Sequence, residues 1–273
     1  MRPGHAVISG GSSGIGLALA RRLAAAGWDL TLLARDAARL AAARGELSGT
    51  GDTPRRIQVA SVDVADREAV EQAVAAAIAA QGPPALLVAS AGIVVPGHFD
   101  ALSIESFRRT MEVNYFGTLH LVRAALPAMR QRQGGRIVMI ASGAALLGVY
   151  GYTAYAPTKF AVRGLAEALR SELAPERIGV SIVYPPDTDT PQLLEELRLR
   201  PEATSRIAGN AKVLSAEHVA DAILHGIRRK RFTIAPGAEM TALALLHSLV
   251  GPLLHRFWFD KVIARHAAER IPG

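Results

Sequence analysis

The sequence contains no cysteine, and aromatic side chains make up only 5% of its residues. Without cysteine no disulfide framework can form, and its absence fits a reducing compartment. We also expect no secretory signal, because the opening stretch MRPGHAVISGG runs straight into an apolar strand and a glycine loop. A signal would need ~7–15 apolar residues followed by a cleavage site. We therefore expect a cytoplasmic protein.

Lysine is scarce as well, since the chain has only four and arginine supplies most of its positive charge. The formal net charge of +7 and the isoelectric point near 10.2 suit nucleic acid, an anionic membrane or a phosphate-rich cofactor. The basic residues are spread along the chain and form no aromatic-interleaved patch for single strands, so we expect no nucleic-acid partner. His247 and His255 lie near each other in a helix but have no carboxylates or cysteines close by, so we interpret them as interface residues and predict no metal site.

Short apolar runs of strand length alternate with alanine- and leucine-rich stretches of helical spacing. The strands are expected at 5–9, 28–34, 57–62, 85–89, 136–141, 179–184 and 232–235. The helices are expected at 14–27, 36–47, 66–81, 104–132, 153–174 and 215–229. This alternation predicts an α/β fold with a single doubly wound parallel sheet, Rossmann-like, with helices on both faces. We assign it to one domain at 1–237, which fits a chain of 273 residues.

Two regions interrupt the alternation. Residues 185–214 are polar to amphipathic, which predicts a lid over the strand ends, with Glu195–Glu196 on its solvated face. The other region is a C-terminal extension at 238–273, in which the stretch 240–255 carries no formal charge.

This stretch of the extension is shorter than the ~20 apolar residues of a membrane span and contains Gly251 and Pro252. Aromatic residues at 257–259 stand beside basic ones. We therefore expect an amphipathic segment, lying at a membrane interface through 240–265. A helix that covers the pocket or packs in an oligomer is an equal alternative.

A glycine-rich turn, SGGSSGIG, follows the first strand and opens the first helix. Free N–H groups and the helix dipole make such a turn an anion site, and glycine lets the backbone approach a pyrophosphate. A purely structural turn is the alternative. The predicted cofactor-binding residues in this turn are Ser9, Gly10, Ser12, Ser13, Gly14, Ile15 and Gly16.

The end of the second strand favours NADP over NAD. A carboxylate there would bind the ribose 2′-hydroxyl, but this chain has Ala34 followed by Arg35, which can accommodate a 2′-phosphate. We assign Arg39 to the same cofactor site. Arg35 could instead be a solvated residue at a helix start.

Two further strand ends are expected to meet the cofactor. After the third strand, Asp63 and its neighbour Val64 are placed to contact the adenine, although Asp63 could be only a turn or N-cap residue. After the fourth strand, the short residues Ser90, Ala91 and Gly92 let the backbone pass close to the cofactor.

An ordered set of motifs resembles the short-chain dehydrogenase/reductase family over the chain to about residue 236. The set comprises S-G-x-x-x-G-I-G, A-S-A-G, Asn114, Ser142, Y-A-P-T-K and P-P-D-T-D-T. In that family a lysine follows the active tyrosine by four residues and a serine precedes it by thirteen. This pattern selects Tyr155, Lys159 and Ser142, whereas Tyr150 and Tyr152 have no lysine four residues on.

The chemistry of these residues favours the same choice. Tyr155 and Lys159 lie four apart at a helix start, on one face, and Pro157 is compatible with the first turn. A free tyrosine has a pKa of ~10, which we expect the nearby ammonium and the positive charge of the oxidised nicotinamide to lower. NADPH would supply hydride to a ketone carbon while Tyr155 gives a proton and Ser142 hydrogen-bonds the oxygen.

The resemblance implies further roles. It implies that Asn114 holds a water linking Lys159 to solvent, although Asn114 could merely satisfy a helix backbone and Ser142 could merely end a strand. It also implies cofactor contacts in the loop after the sixth strand, where Pro186 and Ser90 replace the usual glycine and asparagine. The loop residues are Pro185, Pro186, Thr188 and Thr190.

The stretches GYTAYAPTKFAVRGLAEAL and VYPPDTDTPQLLEE resemble family members that reduce the ketone of a long-chain sphingoid base with NADPH. This resemblance implies 3-ketosphinganine as substrate and sphinganine as product. The alternatives are another hydrophobic ketone or alcohol, and a non-catalytic NADPH-binding sensor. The family resemblance also implies a homodimer or homotetramer built through 104–132 and 153–174.

Overall fold

Seven parallel strands form the main sheet of the structure, a computed structural model that describes residues 3–49, 55–209 and 212–265. The strands are β1 His5–Ser9, β2 Asp29–Ala34, β3 Ile57–Ser61, β4 Leu86–Ala89, β5 Gly135–Ile140, β6 Ile178–Val183 and, last in the chain, β9 Thr233–Ile234. Their order across the sheet is β3-β2-β1-β4-β5-β6-β9. All seven strands predicted from the sequence are confirmed, with ends that differ by a residue or so.

Helices connect these strands and cover both faces of the sheet. They are α1 Gly14–Ala25, α2 Ala37–Ser48, α3 Arg67–Gln81, α4 Ile104–Met111, α5 Gly117–Gln131, α6 Ala156–Leu173 and α9 Ala216–Arg228. Helices α1 and α9 pack on one face through residues such as Leu19 and Ile223. Helices α3, α5 and α6 pack on the other through Val74, Leu121 and Val162. The doubly wound Rossmann-like fold is therefore confirmed.

Strands covered on both faces have apolar side chains along their whole length. All five residues of β1 are buried, as are all four of β4. Because every strand runs in the same direction, their carboxyl ends meet at one edge of the sheet. The connection after β1 crosses one face of the sheet and the connection after β4 crosses the other, so the two separate at this edge and leave a crevice. Ligands bind in this crevice in open α/β sheets.

The insertion after β6 corresponds to residues 185–214, for which we predicted a lid, and we call it the lid segment, or lid, below. It contains β7 Thr188–Asp189, α7 Pro191–Leu199, α8 Glu202–Ala208 and β8 Leu214–Ser215. Strand β7 pairs with β8 in a separate parallel pair, so the lid leaves and rejoins the main fold at adjacent points. Residues 210–211 of the predicted lid lie outside the described residues.

The C-terminal extension is helical from Ala238 to Arg265, which includes α10 Ala238–Leu254, a π-helical turn and α11 Asp260–Arg265. By length and composition this 28-residue helix could cross a membrane. The helix is longer than the uncharged stretch 240–255 on which our expectation rested, because it continues past Pro252. Residues 266–273 of the extension lie outside the described residues.

One side of this extension packs on the protein and the other is exposed. Phe259 packs with Leu147 and Ile207, which joins the helix to the lid. The outward side is also apolar, since Leu245 and Leu249 are 76% and 75% exposed. The expected amphipathic character is therefore absent from the described α10, where apolar residues occupy both sides.

Candidate active site

The glycine-rich turn between β1 and α1 has a backbone that a ligand can approach closely. Gly10 and Gly14 have positive φ angles of 68° and 52°, which favour glycine. A Cβ on Gly16 would lie 2.2 Å from the carbonyl oxygen of Gly10. Within the described ranges no side chain caps α1, although Ser13 stands at its N-cap position. The turn therefore offers N–H groups and a helix dipole to an anionic ligand, as a dinucleotide pyrophosphate requires.

The end of β4 lies against this turn. The buried Ser9 hydroxyl accepts hydrogen bonds from the N–H groups of Ser90 and Ala91, both at 3.2 Å. Short side chains are needed here, because a Cβ on Gly92 would lie 3.2 Å from Oδ1 of Asn114. The structure thus brings the predicted residues of these two strand ends together around one crevice.

Asn114 lies in a π-helical turn at Glu112–Phe116 that joins α4 to α5, a feature often found at functional sites. Its side chain is almost fully buried. Oδ1 accepts from the N–H of Ile93 at 2.8 Å, while Nδ2 donates to the Ile93 carbonyl and to Oγ1 of Thr158, both at 2.9 Å. Asn114 therefore links the loop after β4 to the residue that precedes Lys159. Thr158 was not predicted, although it lies inside the Y-A-P-T-K motif.

Tyr155, Lys159 and Ser142 meet at the start of α6. Tyr155 is its N-cap residue, and Nζ of Lys159 lies 5.6 Å from the centroid of the Tyr155 ring. The ammonium group also donates to the carbonyl of Ile140 at 3.1 Å. Ser142 follows β5 and is hydrogen-bonded to the Tyr155 phenol. The three predicted side chains therefore form one cluster at the carboxyl edge of the sheet.

Burial has the largest effect on the ionisation of this cluster. It raises the pKa of Tyr155 well above its ordinary value, and the hydrogen bond with Ser142 lowers it again only in part. Burial also lowers the pKa of Lys159 to about 8. In the protein without cofactor the net shift of the tyrosine pKa is therefore upward, because the cost of burying a phenolate is the largest effect. The phenol is protonated at neutral pH and can donate a proton.

Arg35 is exposed at the carboxyl edge of the sheet, directly after β2. Arg39 is exposed in the first turn of α2, with Nε 3.3 Å from Oδ2 of Asp36. The Asp36 side chain also caps α2 by accepting from the N–H of Arg39 at 2.9 Å. Both guanidinium groups are therefore accessible beside the crevice, where a phosphate group could reach them.

Asp63 adopts the turn role that the sequence left open. It accepts a hydrogen bond from the N–H of Ala65 at 3.0 Å and forms an ion pair with Arg109. Val64 is buried next to it, and a Cβ on Gly117 would lie 2.6 Å from a Val64 methyl group. These contacts hold the loop after β3 against α4 and α5.

The loop after β6 approaches the glycine turn. A Cβ on Gly14 would lie 3.0 Å from Cγ2 of Thr190, whose hydroxyl caps α7. Thr188 is buried and donates to the carbonyl of Pro186 at 2.8 Å. These threonines therefore have structural hydrogen bonds and lie at the edge of the crevice as well.

Glu196 is the clearest functional candidate that the sequence prediction misplaced. Glu195 is 71% exposed, as expected, but the side chain of Glu196 is only 11% exposed. It accepts a hydrogen bond from the Tyr152 hydroxyl. Consecutive helical residues point about 100° apart, so only knowledge of which face of α7 meets the protein could have separated the two.

Comparison with known proteins identifies the class to which this fold and site belong. The family profile of the short chain dehydrogenases matches residues 4–199. The chain belongs to the short-chain dehydrogenase/reductase family, and it is an oxidoreductase. Two solved structures share its fold. A short-chain dehydrogenase/reductase from Burkholderia phymatum in complex with NAD has a TM-score of 0.81 and 28% identity, covering 92% of this chain and 95% of that one.

The second solved structure is an alcohol dehydrogenase from the archaeon Thermococcus sibiricus complexed with 5-hydroxy-NADP. It has a TM-score of 0.73 and 25% identity, covering 85% of this chain and 95% of that one.

Among curated relatives, this chain is similar to enzymes named for one substrate. It is 38% identical to a 3-dehydrosphinganine reductase of Danio rerio, over 91% of this chain and 76% of that protein. It is 39% identical to the 3-dehydrosphinganine reductase TSC10B of Arabidopsis thaliana, over 84% of this chain and 69% of that protein.

We predict that Gly16→Ala abolishes most dinucleotide binding, because its Cβ would collide with the backbone of Gly10. Fluorescence titration with NADPH and NADH should show affinity reduced by at least about tenfold. Gly45→Ala is the control, since nothing lies within 4 Å of a Cβ there, and alanine favours a helix interior. Unchanged affinity in a folded Gly16→Ala protein would show that the turn does not hold the cofactor.

Proposed function

We propose that this protein reduces the ketone of 3-ketosphinganine to sphinganine with NADPH. One observation carries the chemical part of the proposal: the protonated phenol of Tyr155 meets the Ser142 hydroxyl, and the Lys159 ammonium lies 5.6 Å from the centre of its ring. The substrate comes from the curated relatives that share 36–38% identity over most of this chain.

The glycine turn and the uncapped start of α1 fit a dinucleotide, and we propose that Gly10, Gly14 and Gly16 hold its pyrophosphate. NADPH, when bound, supplies a hydride to the ketone carbon. Tyr155 donates its phenolic proton to the ketone oxygen, so that the carbonyl becomes an alcohol. Ser142 donates a hydrogen bond to the same oxygen as negative charge develops on it.

Lys159 has two proposed tasks in this reaction. Its ammonium stabilises the phenolate that remains after Tyr155 has given up its proton, since an opposite charge nearby favours the ionised form. It also donates hydrogen bonds to ribose hydroxyls, for which a compact ammonium with three donors is suited. Asn114 orients the chain around Lys159 through Thr158, and we propose that it holds the water that returns a proton from solvent.

We propose NADP specificity from the charge at the end of β2. A family member that selects NAD would use a carboxylate there, whereas this chain has Ala34 and the exposed Arg35. The neighbouring Asp36 is engaged as the cap of α2. The Arg35 guanidinium at the end of β2 is therefore the charged group that a 2′-phosphate would meet.

If the substrate is a lipid, the apolar C-terminal helix can bring the protein to the membrane that contains it. We propose that 240–265 contacts a membrane from the cytoplasmic side, because Leu245, Leu249 and Leu253 are exposed on its outer side. The inner side contacts the lid, so the substrate mouth would face the lipid. We also propose a homodimer or homotetramer built through α5 and α6, near which Phe116 and Phe160 are 36% and 42% exposed.

Replacement of Tyr155 tests the chemistry. We expect Tyr155→Phe to lower kcat with 3-ketosphinganine and NADPH by roughly 10²- to 10⁴-fold, because the proton donor is lost. The assay follows the loss of NADPH absorbance together with sphinganine formation. Tyr115→Phe is the control and should retain activity. Near wild-type turnover by Tyr155→Phe would refute the assignment, and a wild type that reduces only other ketones would refute the substrate.

Replacement of Arg35 tests cofactor choice. We expect Arg35→Ala to weaken NADPH binding by roughly 10- to 100-fold, the size expected for a lost charge-assisted hydrogen bond, and to leave NADH binding unchanged. The control is Arg44→Ala, which removes an exposed arginine of α2 and should change neither affinity. Equal use of both cofactors by the wild type, with no effect of Arg35→Ala, would contradict the proposal.

Membrane contact is tested by co-sedimentation with liposomes. The wild type should sediment with anionic liposomes at low salt, whereas a variant with Leu245, Leu249 and Leu253 all changed to serine should stay in solution, because the exposed apolar surface is lost. Thermal unfolding should confirm that this variant is folded. A wild type that stays in the supernatant would rule out the membrane role.

A further inference from the structure

The lid lies directly on the segment that precedes Tyr155. The fully buried Thr204 of α8 donates from its hydroxyl to the carbonyl of Tyr150 at 2.8 Å. Gly151 leaves no room between the two, because a Cβ there would lie 2.4 Å from Oγ1 of Thr204 and 3.1 Å from Pro201. The lid therefore packs directly against residues 150–152.

Arg200, at the end of α7, joins this helix to the segment that precedes β7. Its side chain is 2% exposed, and its two terminal nitrogens donate to the two carboxylate oxygens of Asp187 at 2.8 and 3.1 Å. Its Nε donates to Oε1 of Glu196 at 3.0 Å. Asp187 precedes β7, so this fork closes the chain from 187 to 200 into a loop. Removal of a buried guanidinium would leave two carboxylates without their counter-charge.

A series of contacts continues from Arg200 to the active site. Its guanidinium lies 5.7 Å from the centroid of the Tyr152 ring, and the Tyr152 hydroxyl donates to Glu196. The Tyr152 ring in turn meets the Tyr155 ring edge to face, with centroids 5.6 Å apart. The position of the phenol thus depends on a ring that the lid holds from its other side.

We propose that Arg200 is a positioning residue for the reaction, which acts by holding the lid and the Tyr152 ring against Tyr155. It does not touch the reacting atoms itself. A displacement of about 1 Å at a catalytic group can cost roughly 100-fold in rate, so loss of the guanidinium should affect turnover more than cofactor binding. The proposal rests on the oxidoreductase activity of the family and does not depend on which ketone is the substrate.

Arg198 provides a matched control. It lies on the same helix, is 73% exposed and pairs only with the exposed Glu195 among the described residues. An ion pair of this kind contributes little. Arg198→Met therefore removes the same chemical group without disturbing the lid contacts.

The first test is amide hydrogen exchange of the full chain, which needs no substrate. Arg200→Met should speed exchange by at least about tenfold in 149–155 and 191–208, while exchange in β1 and α1 stays unchanged. The exchange rate of Arg200→Lys should lie between those of Arg200→Met and the wild type, because lysine keeps the charge but cannot donate two parallel hydrogen bonds to Asp187. Arg198→Met should match the wild type.

The second test is kinetic, with 3-ketosphinganine and NADPH. Arg200→Met should lower kcat by roughly 10- to 100-fold while NADPH affinity stays within about twofold, and Arg200→Lys should recover part of the loss. Unchanged exchange in the lid, or equal losses of NADPH affinity and turnover, would contradict the proposal. If the wild type does not reduce this ketone, the proposed substrate fails and the exchange result decides the role of Arg200.

Should Arg200→Met fail to fold, Glu196→Gln and Tyr152→Phe replace it, since each removes one polar group and keeps the shape. Like Arg200→Met, both variants should exchange faster in 149–155 and have a lower kcat than the wild type. Wild-type exchange and turnover in both variants would overturn the proposal.

Discussion

Burial of a phenol beside an ammonium group is the constraint on which this active site depends. Tyr155 and Lys159 share one face at the start of α6, where water is largely excluded from Lys159. Burial keeps the phenol protonated and lowers the pKa of the ammonium to about 8. In this buried site the Tyr155 phenol is protonated and can donate its proton. The Lys159 ammonium carries a charge whose burial costs free energy.

Neighbouring residues stabilise the buried ammonium and enclose the phenol. Lys159 donates to the carbonyl of Ile140, and Thr158 beside it is fixed by Asn114. On the opposite side, the Tyr152 ring and the lid enclose the phenol. Most of these partners come from strand ends or the loops after them, which a parallel sheet brings to one edge. The fold thus concentrates polar groups in the place where apolar strands end.

Much of this arrangement could be predicted from the sequence. Apolar runs of strand length alternating with helical stretches predicted every strand of the main sheet, because each is covered on both faces. The family resemblance selected Ser142, Tyr155 and Lys159 as side chains that meet, and short-range helical geometry independently places two of them together. Small residues around Gly16 predicted the close turn.

Other features depend on tertiary structure that spacing does not encode. The direction of the Tyr155 pKa shift reflects all the atoms that exclude water, not only the nearest charge. The inward position of Glu196 depends on which face of α7 meets Tyr152. The long C-terminal helix continues past Pro252 into a π-helical turn, where a proline would ordinarily be expected to end it.

The most direct test of the account is a pH titration of the Tyr155 phenol in the folded protein. Carbon-13 labelling of tyrosine, with Tyr155→Phe to assign the resonance, would report its ionisation by NMR. The account predicts that in the free protein the phenol stays protonated beyond the ordinary pKa of ~10. Ionisation at or below about pH 8, before an ordinary tyrosine titrates, would show that the ammonium and not burial controls this proton, and would contradict the account.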